Sequence, residues 1–202
     1  MGTTIKSVGN DKQKFRHVDF DYPDSFANMV YTSFSQFNTS ENVKQFFIVT
    51  STGADSDSMF FYNQVKGDIE KSVSQKQLDF QQFIQSKSLN QSSYCHIIKP
   101  GLLIGERVND ERFGEKVAQG LNNLLSWAIP RSVSGIKGEE VAKAMIQIAA
   151  TSRQQKLDLL KERDNHSSVG GVEKSTRFSN HVFAHGNAIL KDYADDYDKA
   201  RQ

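Results

Sequence analysis

"VKQFFIVTSTGADSDSMFFYNQVKG", residues 43–67, decides the fold. Its first part is short, continuous in apolar character and rich in β-branched and aromatic side chains, the pattern of a strand buried on both faces. The turn "STGAD" interrupts it, and from Ser58 to about Val73 the residues Phe61, Val65 and Ile69 recur at helical spacing. A strand that feeds a helix through a short turn is the opening of a β-α-β unit.

The flanking sequence extends that reading. Upstream, "DFDYPDSFANMVYTSFSQF" offers Asp21 as an N-cap, Pro23 near a first turn, and Phe26, Met29, Val30, Phe34 and Phe37 at helical spacing, which predicts an amphipathic helix. Downstream, the polar segment "KQLDFQQFIQSKSLNQSS" is followed by a second predicted buried strand, "YCHIIKP", which ends at Pro100 because proline cannot donate to a sheet ladder. Helix, strand, helix, strand in alternation predicts an α/β fold with a parallel sheet and crossover helices. "RFGEKVAQGLNNLLSWA" and "GEEVAKAMIQIAA" read as two further helices, each with one apolar face. Beyond Ala150 the expectation is a polar extension. It comprises a helical continuation, a loop around Gly170 and Gly171, a short strand and turn in "HVFAHGNAIL", and an exposed tail, "KDYADDYDKARQ". The division expected is therefore residues 1–150 and 151–202.

Bulk properties exclude several classes. In 202 residues, 25 basic side chains nearly balance 24 acidic ones, and neither sign gathers into a block, so nucleic acid is not an expected partner. No run approaches the ~20 apolar residues of a membrane span, and "MGTTIKSVGN" lacks the apolar core of a signal peptide, so no membrane association is expected. Gly2 follows Met1 without the full context for myristoylation. The single cysteine, Cys95, lies in the apolar run "YCHII" and reads as a buried structural thiol, in keeping with a reducing compartment. The expected location is the cytoplasm.

Three residues in the deciding stretch have the chemistry of a proton donor. Ser51 follows the carboxyl end of a predicted parallel strand, where open α/β sheets place their ligands. Tyr62 and Lys66 stand four residues apart on a predicted helix and so share one face. A lysine ammonium beside a phenol favours its phenolate, and a serine hydroxyl can hydrogen-bond a carbonyl. The same spacing also occurs on helices whose tyrosine is half-buried and whose lysine is solvated.

The surrounding residues favour the chemical reading. "VTSTGADSDSMFFYNQVKGDIE", residues 49–70, resembles the active-site segment of the atypical short-chain dehydrogenase/reductases, in particular the Tat-interacting-protein-like oxidoreductase branch. There a strand ends in serine, a G-A-D turn follows, and F-x-Y-x-x-x-K-G-x-x-E opens the next helix. "MGTTIKSVGNDKQKFRHVDFDY" is similar to that family's fourth strand and the helix after it, and "IIKPGLLIGERVNDERFGEKVAQGL" to its later strand and P-G-x-x-x-G-E-R loop. The resemblance covers roughly residues 1–150. It implies a Rossmann-like doubly wound fold and an NAD(P)-dependent oxidoreductase acting on a small carbonyl or alcohol. It implies Tyr62 as general acid, Lys66 as the group that lowers the tyrosine pKa and binds the nicotinamide ribose, and Ser51 as the group that orients the carbonyl. By the same resemblance Gly2, Thr3, Thr4, Pro100 and Gly101 border the NAD(P)H cofactor.

One departure bears on function. The family opens with a G-x-x-G-x-x-G turn that holds the dinucleotide pyrophosphate, and the thirteen glycines here form no such motif. The sequence opens where the family is at its fourth strand, so the N-terminal strands of the fold are expected to be missing. Two readings follow: an oxidoreductase, or a catalytically silent member serving as an interaction module. A homo-oligomer or a partner chain covering the exposed sheet edge is expected in either. His166, His181 and His185 near the C-terminus lack the spacing and third ligand of a metal site, so no metal is expected. Asp192, Asp195, Asp196 and Asp198 lack a calcium-loop pattern. Trp127, Ile129 and Pro130 read as core packing or as the wall of a substrate cleft.

Overall fold

The computed structural model describes residues 7–37, 43–89, 91–104, 134–166 and 182–201. In chain order these form α1 (Lys12–Arg16), a π-helical turn (His17–Asp21), α2 (Tyr22–Gln36), β1 (Val43–Val49), α3 (Phe61–Ser86) and β2 (Ser92–Lys99). They continue with β3 (Leu103–Ile104), β4 (Ile136–Lys137), α4 (Gly138–His166), β5 (Val182–Gly186) and α5 (Asn187–Lys199). The sheet order is β1-β2-β5, parallel throughout, with Val43 opposite Ser92 and Cys95 opposite Val182. A shorter parallel pair joins β3 to β4. This is the α/β arrangement with crossover helices that the alternation predicts, and it is consistent with part of a Rossmann-like fold.

Helices cover both faces of the sheet. On one, α2 and α3 bury Ala27, Tyr31, Ile69, Val73, Phe80 and Ile84 against Phe46, Ile48, Cys95 and Ile97. On the other, α4 and α5 bury Val141, Ala144, Ile148 and Leu190 against Ile98, with Phe47 packed alongside. Each fully buried Ile or Leu is worth about 1.5–3 kcal/mol relative to exposure, so the two layers are held chiefly by this apolar area. β2, central and covered on both sides, is buried along most of its length, whereas β1 alternates because it is an outer strand of the three. Its Lys44 turns inward and donates to the carbonyls of Phe34 and Phe37 at the end of α2, where the helix dipole is negative.

The first helix starts earlier than expected. Asp11, not Asp21, is the N-cap, accepting from the amides of Gln13 (2.9 Å) and Lys14 (3.1 Å), and the rod runs on through the π turn into α2. Pro23 sits just after the π turn rather than in a true first turn. The turn has a geometric consequence. At about 100° per residue an unbroken α-helix would put Phe15 and Tyr31 about 160° apart, on nearly opposite faces. One extra residue absorbed in a π turn removes about 100° of that drift. Phe15, Asp19, Ala27 and Tyr31 are accordingly all buried.

Two other expectations are corrected. The helix does not end at about Val73: α3 continues through the polar stretch to Ser86. Its buried stripe passes from Val73 through Gln77 to Phe80 and Ile84, and Gln77 is fully buried because Tyr31 and Ser93 saturate its amide. The terminal segment is not a tail either. "KDYADDYDKARQ" lies mostly in α5, whose Leu190 and Ala194 are buried, while Lys143 of α4 bonds Asp198. Residues 112–128, read as a helix, and Gly170 and Gly171 fall outside the described residues.

Candidate active site

The site lies at the carboxyl ends of β1 and β2. Beyond β1 the ladder continues: the Thr50 amide donates to the Ile98 carbonyl (2.8 Å), and the Thr52 amide to the Pro100 carbonyl (2.9 Å). Ser51 and Pro100 are thereby neighbours on adjoining strand ends. The chain then turns through Gly53, whose φ of 83° suits glycine, and the Ala54 amide bonds the Ser51 carbonyl (3.1 Å). The loop folds back onto α3, where the Asp55 amide donates to the Asn63 carbonyl (3.0 Å). Glu70 clamps the arrangement, accepting from Thr50 Oγ1 (2.5 Å) and from Lys99 Nζ (2.9 Å).

On α3, Tyr62 and Lys66 share one face, as the spacing predicts. The Tyr62 ring packs on the buried Phe15 with centroids 5.7 Å apart and is 39 % exposed. The Lys66 ammonium lies 5.9 Å from the centre of that ring and donates to Asp19 Oδ1 at 2.6 Å. Both members of this pair are buried, and Asp19 belongs to the π turn. Lys66 is thus held from below while its phenol neighbour opens outward.

Ser51 stands just past the carboxyl end of β1. Its Oγ is buried and, among the described residues, has no hydrogen-bond partner. A buried hydroxyl left unmatched costs about 1–3 kcal/mol, and such groups call for an explanation. An acceptor or donor on a bound molecule would supply it. The sequence holds no glycine-rich motif of the kind that cradles a dinucleotide pyrophosphate.

Gly101 has a local structural task. Its amide donates to Asn187 Oδ1 (2.9 Å), Asn187 Nδ2 donates to the Ser134 carbonyl (2.7 Å), and a Cβ on Gly101 would lie 3.0 Å from both Asn187 and Ser134. Asn187 is almost wholly buried at the start of α5. Gly2, Thr3 and Thr4 lie outside the described residues, as do His181, Trp127, Ile129 and Pro130.

His185, weighed as a ligand, is engaged differently. Gln45 Nε2 donates to the Ala149 carbonyl (3.0 Å), so its Oε1 accepts from His96 Nε2 (3.2 Å). That leaves His96 Nδ1 to accept from His185 Nε2 at 3.1 Å, a chain of neutral groups. Burial, and the neighbouring His185, push His96 down to about 4, and burial lowers His185. Burial likewise pushes the Cys95 thiol up to about 11, as befits a structural cysteine. No group of three or more His, Cys, Asp or Glu with metal-ligand geometry occurs among the described residues. Nor is any helix among them long and apolar enough to cross a membrane.

Sequence reasoning passed over Asp19, Gly67 and Asn187. A signal existed for one of them: a glycine inside a helical pattern, directly after Lys66, marks a close backbone approach. Asp19 and Asn187 carry no local signature, because their partners are distant in sequence.

The chain is similar to a group of eukaryotic proteins. It is 30% identical over 132 residues to "Protein FMP52, mitochondrial" of Saccharomyces cerevisiae, covering 63% of this chain and 51% of that protein. To the protein of the same name from Debaryomyces hansenii it is 29% identical over 151 residues, 74% of this chain and 57% of the relative. To "Protein HTATIP2" of Rattus norvegicus it is 27% identical over 165 residues, 81% of this chain and 57% of the relative. The chain spans about half the length of the curated relatives it matches. No family model matches it.

These relatives overturn the cytoplasmic expectation, since the fungal ones are named as mitochondrial. The inference from composition fails for a physical reason. One reduced cysteine reports redox conditions, which do not single out the cytoplasm among reducing compartments.

Proposed function

We propose that this chain belongs to the atypical short-chain dehydrogenase/reductases and takes part in NAD(P)-dependent oxidation or reduction of a small carbonyl or alcohol. The observation that carries the reading is the placement of Ser51 just past the carboxyl end of a parallel strand, its hydroxyl buried and unmatched among the described residues, and of Tyr62 and Lys66 on one face of the helix that follows. Similarity to the FMP52 and HTATIP2 proteins supports it, and the fungal names support a mitochondrial setting.

Bound here, a nicotinamide dinucleotide would supply the hydride chemistry, donating to a carbonyl carbon or accepting from an alcohol carbon. Ser51 Oγ hydrogen-bonds the substrate oxygen and fixes its direction. In reduction the Tyr62 hydroxyl gives its proton to that oxygen, and in oxidation the phenolate takes it back. The Lys66 ammonium has three N–H donors, of which one goes to Asp19, and the others would serve a bound ribose and the phenol side.

The test is titration of the full chain with NADPH and NADH, followed by fluorescence of the reduced nicotinamide. Weak saturable binding is expected, because no glycine-rich motif holds the pyrophosphate, and Lys66→Met should weaken it further. Tyr62→Phe should retain binding and lose turnover of a panel of small aldehydes and ketones. No binding of either dinucleotide overturns the reading.

A second reading, a silent interaction module, is favoured by one observation. Tyr22, Phe26 and Met29 recur along α2 and are each more than half exposed, and the Phe26 ring lies 6.4 Å from Phe46 on β1. An apolar strip beside an outer strand suits a second copy or a partner chain. Light scattering that finds only monomers at high concentration would count against self-association.

A further inference from the structure

We propose that Asp19 is a positioning residue, which acts through Lys66 by holding its ammonium in working position beside Tyr62. The inference rests on the reading of Tyr62 and Lys66 as functional groups and extends it to a residue on a different element.

Three observations converge. The pair is short, 2.6 Å from Lys66 Nζ to Asp19 Oδ1, and its side chains are only 9 % and 0 % exposed. A buried ion pair of this kind adds little net stability compared with apolar packing of the same volume, so its retention calls for another account. Second, Asp19 stands in the π turn of an otherwise α-helical rod, and π turns occur frequently at functional sites. The turn is also what brings Phe15 and Asp19, one turn apart, round to the side of the rod that buries Ala27 and Tyr31. Third, Phe15, one helical turn before Asp19, packs against the Tyr62 ring itself, so one rod fixes both the phenol and the lysine.

The other charged groups on the packed elements are occupied. Arg16 pairs with Asp68 at 2.6 Å, Glu70 takes Lys99 and Thr50, Lys12 lies over the Phe61 ring, and His17 bonds Asp21. Lys66 without Asp19 would have a four-carbon stem free to turn its charge toward solvent. With Asp19 it presents its remaining donors to one place.

The experiment compares wild type, Asp19→Asn, Asp19→Ala, Lys66→Met and the Asp19→Ala/Lys66→Met double variant of the full chain. Two readouts are used: the side-chain ammonium signal of Lys66 in protein labelled with nitrogen-15 lysine, and NADPH affinity. A slowly exchanging ammonium signal is expected in wild type, absent in Lys66→Met, kept in Asp19→Asn and lost in Asp19→Ala. NADPH affinity should fall by about tenfold in Asp19→Ala and in Lys66→Met, and no further in the double variant, with Asp19→Asn recovering most of the loss. A folded Asp19→Ala that keeps both the signal and the affinity overturns the proposal, as do losses that multiply in the double variant. If Asp19→Ala does not fold, Asp19→Asn decides alone: it must keep the ammonium signal, and its loss refutes positioning through the acceptor oxygen. If wild type binds no NADPH, the proposed function fails, and the ammonium signals alone decide the role of Asp19.

Discussion

The Cα of Gly67 rests against the backbone of Ser56, so closely that a Cβ there would lie 2.0 Å from the Ser56 amide nitrogen and 2.3 Å from the Asp55 carbonyl carbon. The loop that carries Ser51 is thus seated on α3 directly beside Lys66. No flexible side chain is available to give way, because the atoms met are main chain. Gly67→Ala should cost about 1–3 kcal/mol through overpacking, although alanine is the better helix former. A urea midpoint equal to wild type would show that the loop is not pressed on the helix.

The buried His96–His185 pair makes stability depend on pH. Unfolded histidine titrates near ~6.5, whereas folded His96 is pushed down to about 4 and His185 is lowered as well. Between these values the unfolded chain binds more protons than the folded one, so the contribution is complete above about pH 6.5 and lost as pH falls toward 4. The loss expected from His96 is roughly 2–3 kcal/mol. Urea midpoints at pH 7 and pH 4.5 measure it, and His96→Gln should flatten the difference.

Gln77 tests whether the polar stripe of α3 is core. It accepts from Tyr31 Oη (3.0 Å) and donates to both oxygens of Ser93 (2.9 Å each). Gln77→Leu keeps the volume and removes those bonds, leaving the buried Tyr31 hydroxyl without that acceptor, at about 1–3 kcal/mol. The same change at the neighbouring Gln75, which bonds Asp79 in an exposed setting, should stay within about 0.5 kcal/mol. Equal midpoints for the two variants would contradict this account.

Asn187→Ala should free two segments at once, because one amide ties Gly101 to Ser134. Amide hydrogen exchange at Gly101 should quicken, and stability should fall by about 1–3 kcal/mol as buried groups lose partners. Unchanged protection at Gly101 would mean that the segment after β2 is held by other contacts.

Local pattern went a long way in this protein. The apolar runs "VKQFFIVT" and "YCHIIKP" became β1 and β2, Pro100 ended the second, and the four-residue spacing put Tyr62 and Lys66 on one helix face. These features depend only on neighbours within a turn or along a strand, so a single sequence carries them.

The rest was decided between distant segments. Gln77 continues a buried stripe only because Tyr31 and Ser93 meet its amide, so the apolar pattern stops near Val73 although the helix runs on to Ser86. Asp19 pairs with Lys66 across 47 positions of sequence, and Asn187 holds Gly101 across 86. A polar side chain in water satisfies itself with solvent, and the sequence by itself determined only its identity and its local period. Whether that side chain is buried, and against which partner, was decided by the tertiary structure, because only there does a distant group replace the water it gives up.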